Sequence, residues 1–117
     1  MAFLRGFSHA FRGIRIALKS QRNLRVHAVA AALVVAFGFG FQIESWEWCA
    51  VILACGSVWM AEMANTAIEW LADRVTGERE EAIRNVKDAA AGAVLAASTA
   101  AAAVGALVFL PRLLRML

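Results

Sequence analysis

The chain has 117 residues, 62% of them hydrophobic and 18% charged, with a formal net charge of +3. That apolar share stands well above the roughly 45–50% of soluble domains, which sets aside an ordinary water-soluble domain and points to a membrane protein. The basic residues cluster without aromatic interleaving, so nucleic acid is set aside as a partner and the positive charge is tied to membrane topology.

Residues 3–20 read as an amphipathic helix, with the surface element extending to 22. Phe3, Phe7, Phe11, Ile14 and Leu18 share one face, and Arg5, Arg12, Arg15 and Lys19 take the other. Opposed aromatic and basic faces mark a helix lying in the membrane interface. The six basic residues in the first 25 positions and the lack of a short apolar core argue against a signal peptide.

A polar junction, Arg22 to His27, leads into a first span over 24–43, with Arg25 snorkelling. Glu44 to Glu47 form a short acidic connection, and Trp46 and Trp48 suit a membrane interface. The second span covers 48–72 and opens on fourteen residues, Trp48 to Ala61, without a charge. Cys49 and Cys55 lie in this one helix, pointing about 120° apart and too far along the axis to pair. Arg74 to Val86 read as a polar loop. The third span covers 87–110, rich in Ala, with Pro111 expected to stop it. Such a density of small residues suits close helix packing in a bundle or oligomer interface. The architecture expected is an all-α membrane protein: one surface helix and three transmembrane helices, a single domain over 1–117, in an oligomeric bundle.

Lys and Arg number six in the N-terminal region up to Arg25, four in the 74–87 loop, none in the 43–47 connection and two in the tail. The bias expects the N-terminus and the 74–87 segment on the cytoplasmic side of a bacterial inner membrane. The tail disagrees mildly.

The second span carries the residues with chemistry. At 100° per residue, Glu62, Asn65, Glu69 and Asp73 fall on one narrow stripe running from inside the apolar segment to its polar end. Ionisable groups at membrane depth are costly and mark functional sites by default, and the sequence shows no basic partner for these within the span. Glu62 and Glu69 are about 10 Å apart along the axis. A carboxylate in low dielectric can act as general base, and one nearer water can hold Mg²⁺. Lys87, entering the next span on the same side, can pair with a phosphate. The set suits phosphoryl transfer, and it equally suits cation or proton transport. The common phosphate-binding glycine loops are absent. His9 and His27 are isolated in sequence, and Glu78 to Glu81, taken alone, read as a solvated loop.

Glu62-x-x-Asn65-Thr66-Ala67-Ile68-Glu69-x-x-x-Asp73-Arg74, followed by Lys87-Asp88-x-Ala90-Ala91-Gly92, resembles the bacterial diacylglycerol kinase and undecaprenol kinase family over nearly the whole chain. The resemblance implies a homotrimer with composite active sites that transfers the γ-phosphate of MgATP to a lipid hydroxyl. It implies Glu62 as general base with Asn65 positioning the hydroxyl, and Glu69 as ligand of the Mg²⁺ bound to ATP. Glu78, Lys87 and Asp88 would contact the nucleotide, and Asp73 would support the site. The family usually has a Glu before Arg22-Asn23, assisting Glu69 with metal; this chain has Gln21, which can still ligate but adds no negative charge. Lys19-x-x-Arg22-Asn23-Leu24-Arg25-Val26-His27 is similar to the undecaprenol kinase branch, so Asn23, Arg25 and His27 are expected at the lipid, with undecaprenol ahead of diacylglycerol. The alternatives are a small ion- or proton-coupled transporter using Glu62 as carrier group, and a non-catalytic homologue lacking a full metal site at Gln21.

Overall fold

The computed structural model describes all residues, 1–117, and is entirely helical: α1 (Ala2–Ser20), α2 (Arg22–Gly40), α3 (Ser45–Val75) and α4 (Glu81–Arg115). Three of them, α2 to α4, are long and apolar enough to cross a membrane. Only 12 of 117 residues are buried. With Phe3 at 77% and Leu107 at 78% exposure, the apolar surface has to be covered by lipid or by other chains.

Gln21 makes the corner between α1 and α2. Its extended backbone (φ −109°, ψ 115°) ends one helix and caps the next, and its N–H donates to Ala17 O. Ala17 and Leu24 bury against each other's helices at this corner. Arg25 then reaches back, Nη1 donating to Leu18 O at 3.0 Å and Lys19 O at 2.9 Å. The last carbonyls of α1 thereby gain the cation that a helix C-terminus favours.

The turn between α2 and α3 is a Schellman arrangement. Ile43 N–H donates to Gly38 O and Gln42 N–H to Phe39 O, with Gln42 at φ 51°. Gly38 is required here, because a Cβ would lie 2.5 Å from the Trp48 ring. Trp48 thus turns inward against Gly38 and Phe39, leaving Trp46 at the surface with Nε1 donating to Glu44. Glu44 and Glu47 form a capping box at the start of α3. The same Glu47, almost fully buried, accepts a two-pronged bond from Arg112 at 2.8 and 2.7 Å. Beneath this pair Ile43, Val51 and Val108 make a small core.

Two boundaries differ from expectation. The polar segment 74–86 is mostly helix: α3 continues to Val75, α4 begins at Glu81, and only 76–80 connect them. Glu, Ala, Arg and Lys are good helix formers in water, so the end of an apolar run does not end a helix. Nor does Pro111 stop α4, which runs on to Arg115. Arg112 holds the turn that proline weakens, its Nη1 donating to Val108 O while the guanidinium grips Glu47. This pairing also accounts for a basic residue at the end of the molecule where the charge bias expected none.

The chain runs up α2, down α3 and up α4, α3 and α4 forming the most extensive helix pair. The start of α2, the end of α3 and the start of α4 therefore share one end of the molecule. All the candidate site residues lie towards that end.

Candidate functional site

The stripe on α3 opens into a cleft of about 430 Å³ between α2, α3 and α4. Glu62, Asn65 and Glu69 line it from α3, Asn23 and His27 from α2, and Ser98 from α4. Glu62, Asn65, Glu69 and Asn23 thus meet at one place with His27, which is isolated in sequence and expected at the lipid only through the family resemblance.

Glu62 is 4% exposed. The expectation that it lacked a basic partner is corrected by the fold, because Nε2 of His27 lies 3.0 Å from its Oε1. A buried carboxylate without such a partner would be strongly disfavoured. Depth along the helices held a signal for this pair. Counted from the α2–α3 turn, His27 is about 13 residues down and Glu62 about 17, or ~20 and ~26 Å, close enough for a His and a Glu to meet. One turn further along α3, Asn65 Nδ2 donates to Glu69 Oε1 at 3.2 Å. That leaves Asn65 Oδ1 buried with no donor. A buried acceptor without a partner is uncommon enough to require a ligand or water to complete it.

Beyond Glu69 the stripe continues into a second, polar cavity of about 850 Å³ at the α3–α4 turn. Asp73, Glu78, Lys87 and Asp88 all line it. Lys87 Nζ is 2.5 Å from Asp73 Oδ1, tying α4 to α3 and supplying the stripe's second basic partner. Both side chains remain partly exposed, so the ammonium is available to an anion entering the cavity. Asp88 pairs with Arg84 one turn away, at 3.7 Å on the surface. Glu78 N–H donates to Thr76 Oγ1 and shapes the turn. Since Glu69 and Asp73 are one helical turn apart, about 6 Å, the two cavities adjoin along α3.

Two expected residues lie outside both cavities. Arg25 is engaged with the end of α1, and Gln21 sits half-buried in the α1–α2 corner. No group of three or more His, Cys, Asp or Glu side chains converges into a cage for a metal ion. The oxygen donors present, Glu69 and the unpartnered Asn65 Oδ1, fit a hard cation that keeps much of its own hydration or arrives with a phosphate. Chemically, the arrangement offers a buried carboxylate in a cleft lined by both polar and apolar side chains, oxygen ligands beside it, and a cation in a polar cavity one turn away.

Comparison with known proteins gives the same direction. The sequence profile of prokaryotic diacylglycerol kinase matches residues 8–109. An undecaprenol kinase of Bacillus subtilis is 38% identical over 111 residues, spanning 95% of this chain and 90% of its own. A diacylglycerol kinase of Synechocystis is 34% identical over 112 residues, spanning 95% of this chain and 64% of its own.

Proposed function

The chain belongs to the prokaryotic diacylglycerol kinase family, and on that footing we propose that this multi-pass membrane enzyme is a lipid kinase moving the γ-phosphate of ATP to the hydroxyl of a lipid alcohol. Undecaprenol is the first candidate acceptor and diacylglycerol the second. The observation that carries the reading is the buried Glu62 carboxylate, oriented by His27, in a cleft where Asn65 Oδ1 waits for a donor.

The lipid hydroxyl enters the Glu62 cleft from the membrane and donates first to Asn65 Oδ1 or to the free oxygen of Glu62. His27 occupies Oε1, which leaves Oε2 to accept the proton. As the proton moves to Glu62, the lipid oxygen bonds to the γ-phosphorus. The bond from that phosphorus to the β,γ-bridging oxygen breaks, and ADP leaves with the electron pair. Most of the catalysis in such a transfer is positioning and charge neutralisation. Lys87 supplies a positive charge at the phosphates, with Glu78, Asp88 and Asp73 shaping the nucleotide cavity around it. Mg²⁺ fits the oxygen donors of the cleft: Glu69 would hold it, and it would supply positive charge for the ATP phosphates, while Gln21, outside both cavities, would serve only as an outlying weaker donor. Asn23 lines the acceptor cleft beside His27, while Arg25 acts on it through the corner it secures.

A homotrimer with shared sites is part of this reading, supported by the large uncovered apolar surface and the Ala-rich α4. So is a cytoplasmic N-terminus in a bacterial inner membrane, supported by the count of basic residues at the site end, where ATP is available. The deciding experiment uses protein purified in lipid micelles with radiolabelled MgATP and each lipid in turn. Label transfer that Glu62→Gln abolishes is the expected result. If neither lipid is labelled, the kinase reading fails and the transporter reading replaces it.

A further inference from the structure

His27 borders two spaces. One is the acceptor cleft; the other is an apolar cavity of about 250 Å³ that adjoins it toward the far end of the molecule, between α2, α3 and α4. Apart from His27, the wall of this second space is made of apolar or small side chains, with Cys55 and Trp59 among them. Ala31 faces it from α2, Ala54 from α3, and Ala101 and Gly105 from α4. Its lining on α2 runs from His27 to Val34, about 10 Å of helix. The floor is closed by the Ile43, Val51 and Val108 core, against which Val34, Cys55 and Val104 pack. Small side chains on all three helices keep the space open, where Leu or Phe would have closed it.

We propose that this cavity seats the first isoprene unit of a single-chain polyprenyl alcohol, with its terminal hydroxyl turned past His27 to Glu62. The proposal rests on the Glu62 cleft being the acceptor site. An alcohol held at Glu62 must lead its tail away from the nucleotide side, and the cavity adjoins the cleft in that direction, the two sharing His27 as a wall. A dry apolar cavity of about 150 Å³ already accepts a benzene-sized guest, so this one has room for a little more than one five-carbon unit. Its volume of about 250 Å³ is enough for one chain segment of this kind and not for two. Two acyl chains leaving adjacent glycerol carbons would need two seats side by side, so the size favours a single chain over diacylglycerol.

Gly105→Leu tests this, since Gly105 lines the cavity and a Cβ there meets nothing within 4 Å, so the added side chain has room without disturbing the backbone. Ala31→Leu fills the same space from the opposite wall, which guards against a local folding effect of either change. Full-length protein in mixed micelles is assayed with undecaprenol and with diacylglycerol, and thermal unfolding is followed alongside. The expected result is a rise in KM for undecaprenol that lowers kcat/KM about 10–200-fold, the range a steric bar in an apolar pocket gives. The KM for MgATP and the turnover of diacylglycerol stay near wild type, and the thermal midpoint does not fall. Undecaprenol kinetics unchanged in both filled variants, while Glu62→Gln still abolishes transfer, overturns the tail site and leaves the kinase reading intact. An equal loss on both lipids also overturns it, marking the cavity as packing between helices or copies of the chain. If wild-type protein phosphorylates neither lipid, it is the kinase reading that has failed.

Discussion

His27 on α2 and Glu62 on α3 place Nε2 and Oε1 3.0 Å apart, joining two helices through the least exposed carboxylate of the candidate site. The pair engages Oε1 of Glu62 and leaves Oε2, the oxygen that the proposed mechanism assigns to the substrate proton. Glu62→Gln keeps the shape and removes the base, so lipid phosphorylation should fall about 10²–10⁴-fold, as for other general bases, with KM for MgATP little changed. His27→Ala should lower kcat about 10–100-fold, the equivalent of one hydrogen bond to a charged group. His27→Gln, which can still donate to Oε1, should recover part of that loss in the same initial-rate assay. Equal rates in all three proteins would remove the pair from the mechanism.

Lys87 and Asp73 are both partly exposed, and an exposed pair contributes at most about 1 kcal/mol to stability. Lys87→Met should therefore leave the thermal midpoint nearly unchanged. Its effect should fall on nucleotide instead, raising the KM for ATP about 10–100-fold through the loss of one charge-assisted contact. Asp73→Asn frees the ammonium and should raise that KM far less. An ATP titration of the two variants separates these outcomes.

The family resemblance implies a metal-assisting Glu at position 21, but here Gln21 sits in the α1–α2 corner outside both cavities. Gln21→Glu should therefore leave the Mg²⁺ concentration giving half-maximal activity nearly unchanged, while Glu69→Gln should raise it. Chelation of Mg²⁺ should abolish activity in wild type and variant alike. A several-fold lower Mg²⁺ requirement in Gln21→Glu would instead bring residue 21 into metal binding.

Arg112 and Glu47 tie the ends of α4 and α3 together far from the cleft. Arg112→Ala leaves Glu47 buried without its partner and should lower the thermal midpoint clearly, with KM values for both substrates retained below the transition. Exchanging the two, Glu47→Arg with Arg112→Glu, should recover only part of the loss, because Glu47 also completes the capping box of α3. A thermal scan of the single and double variants tests this.

Gln42 occupies the left-handed position of the α2–α3 turn at φ 51°, a backbone that favours glycine. Gln42→Gly should stabilise the protein by about 1 kcal/mol. Gly38→Ala in the same turn should do the reverse, because its methyl group meets the Trp48 ring. Both are read from denaturant or thermal midpoints.

The amino-acid order alone determined four helices, the amphipathic character of α1, three segments long and apolar enough to span, and the stripe from Glu62 to Asp73. These follow from apolar run length and the 3.6-residue period, which are local properties of one segment. The stripe was legible because its four residues ride one helix, and the motif around it pointed to the family. Helix ends were less legible, since the apolar run of α4 is shorter than the helix that carries it. Only the tertiary structure decided that His27 faces Glu62, that Arg25 closes α1, and that Arg112 holds Glu47 and carries α4 past Pro111. Each of these depends on which faces meet and at what depth. In a membrane protein every helix is apolar nearly all round, so composition does not say which face turns inward. Pairing of polar groups between helices decides it, because a charge left alone at that depth is too costly to keep.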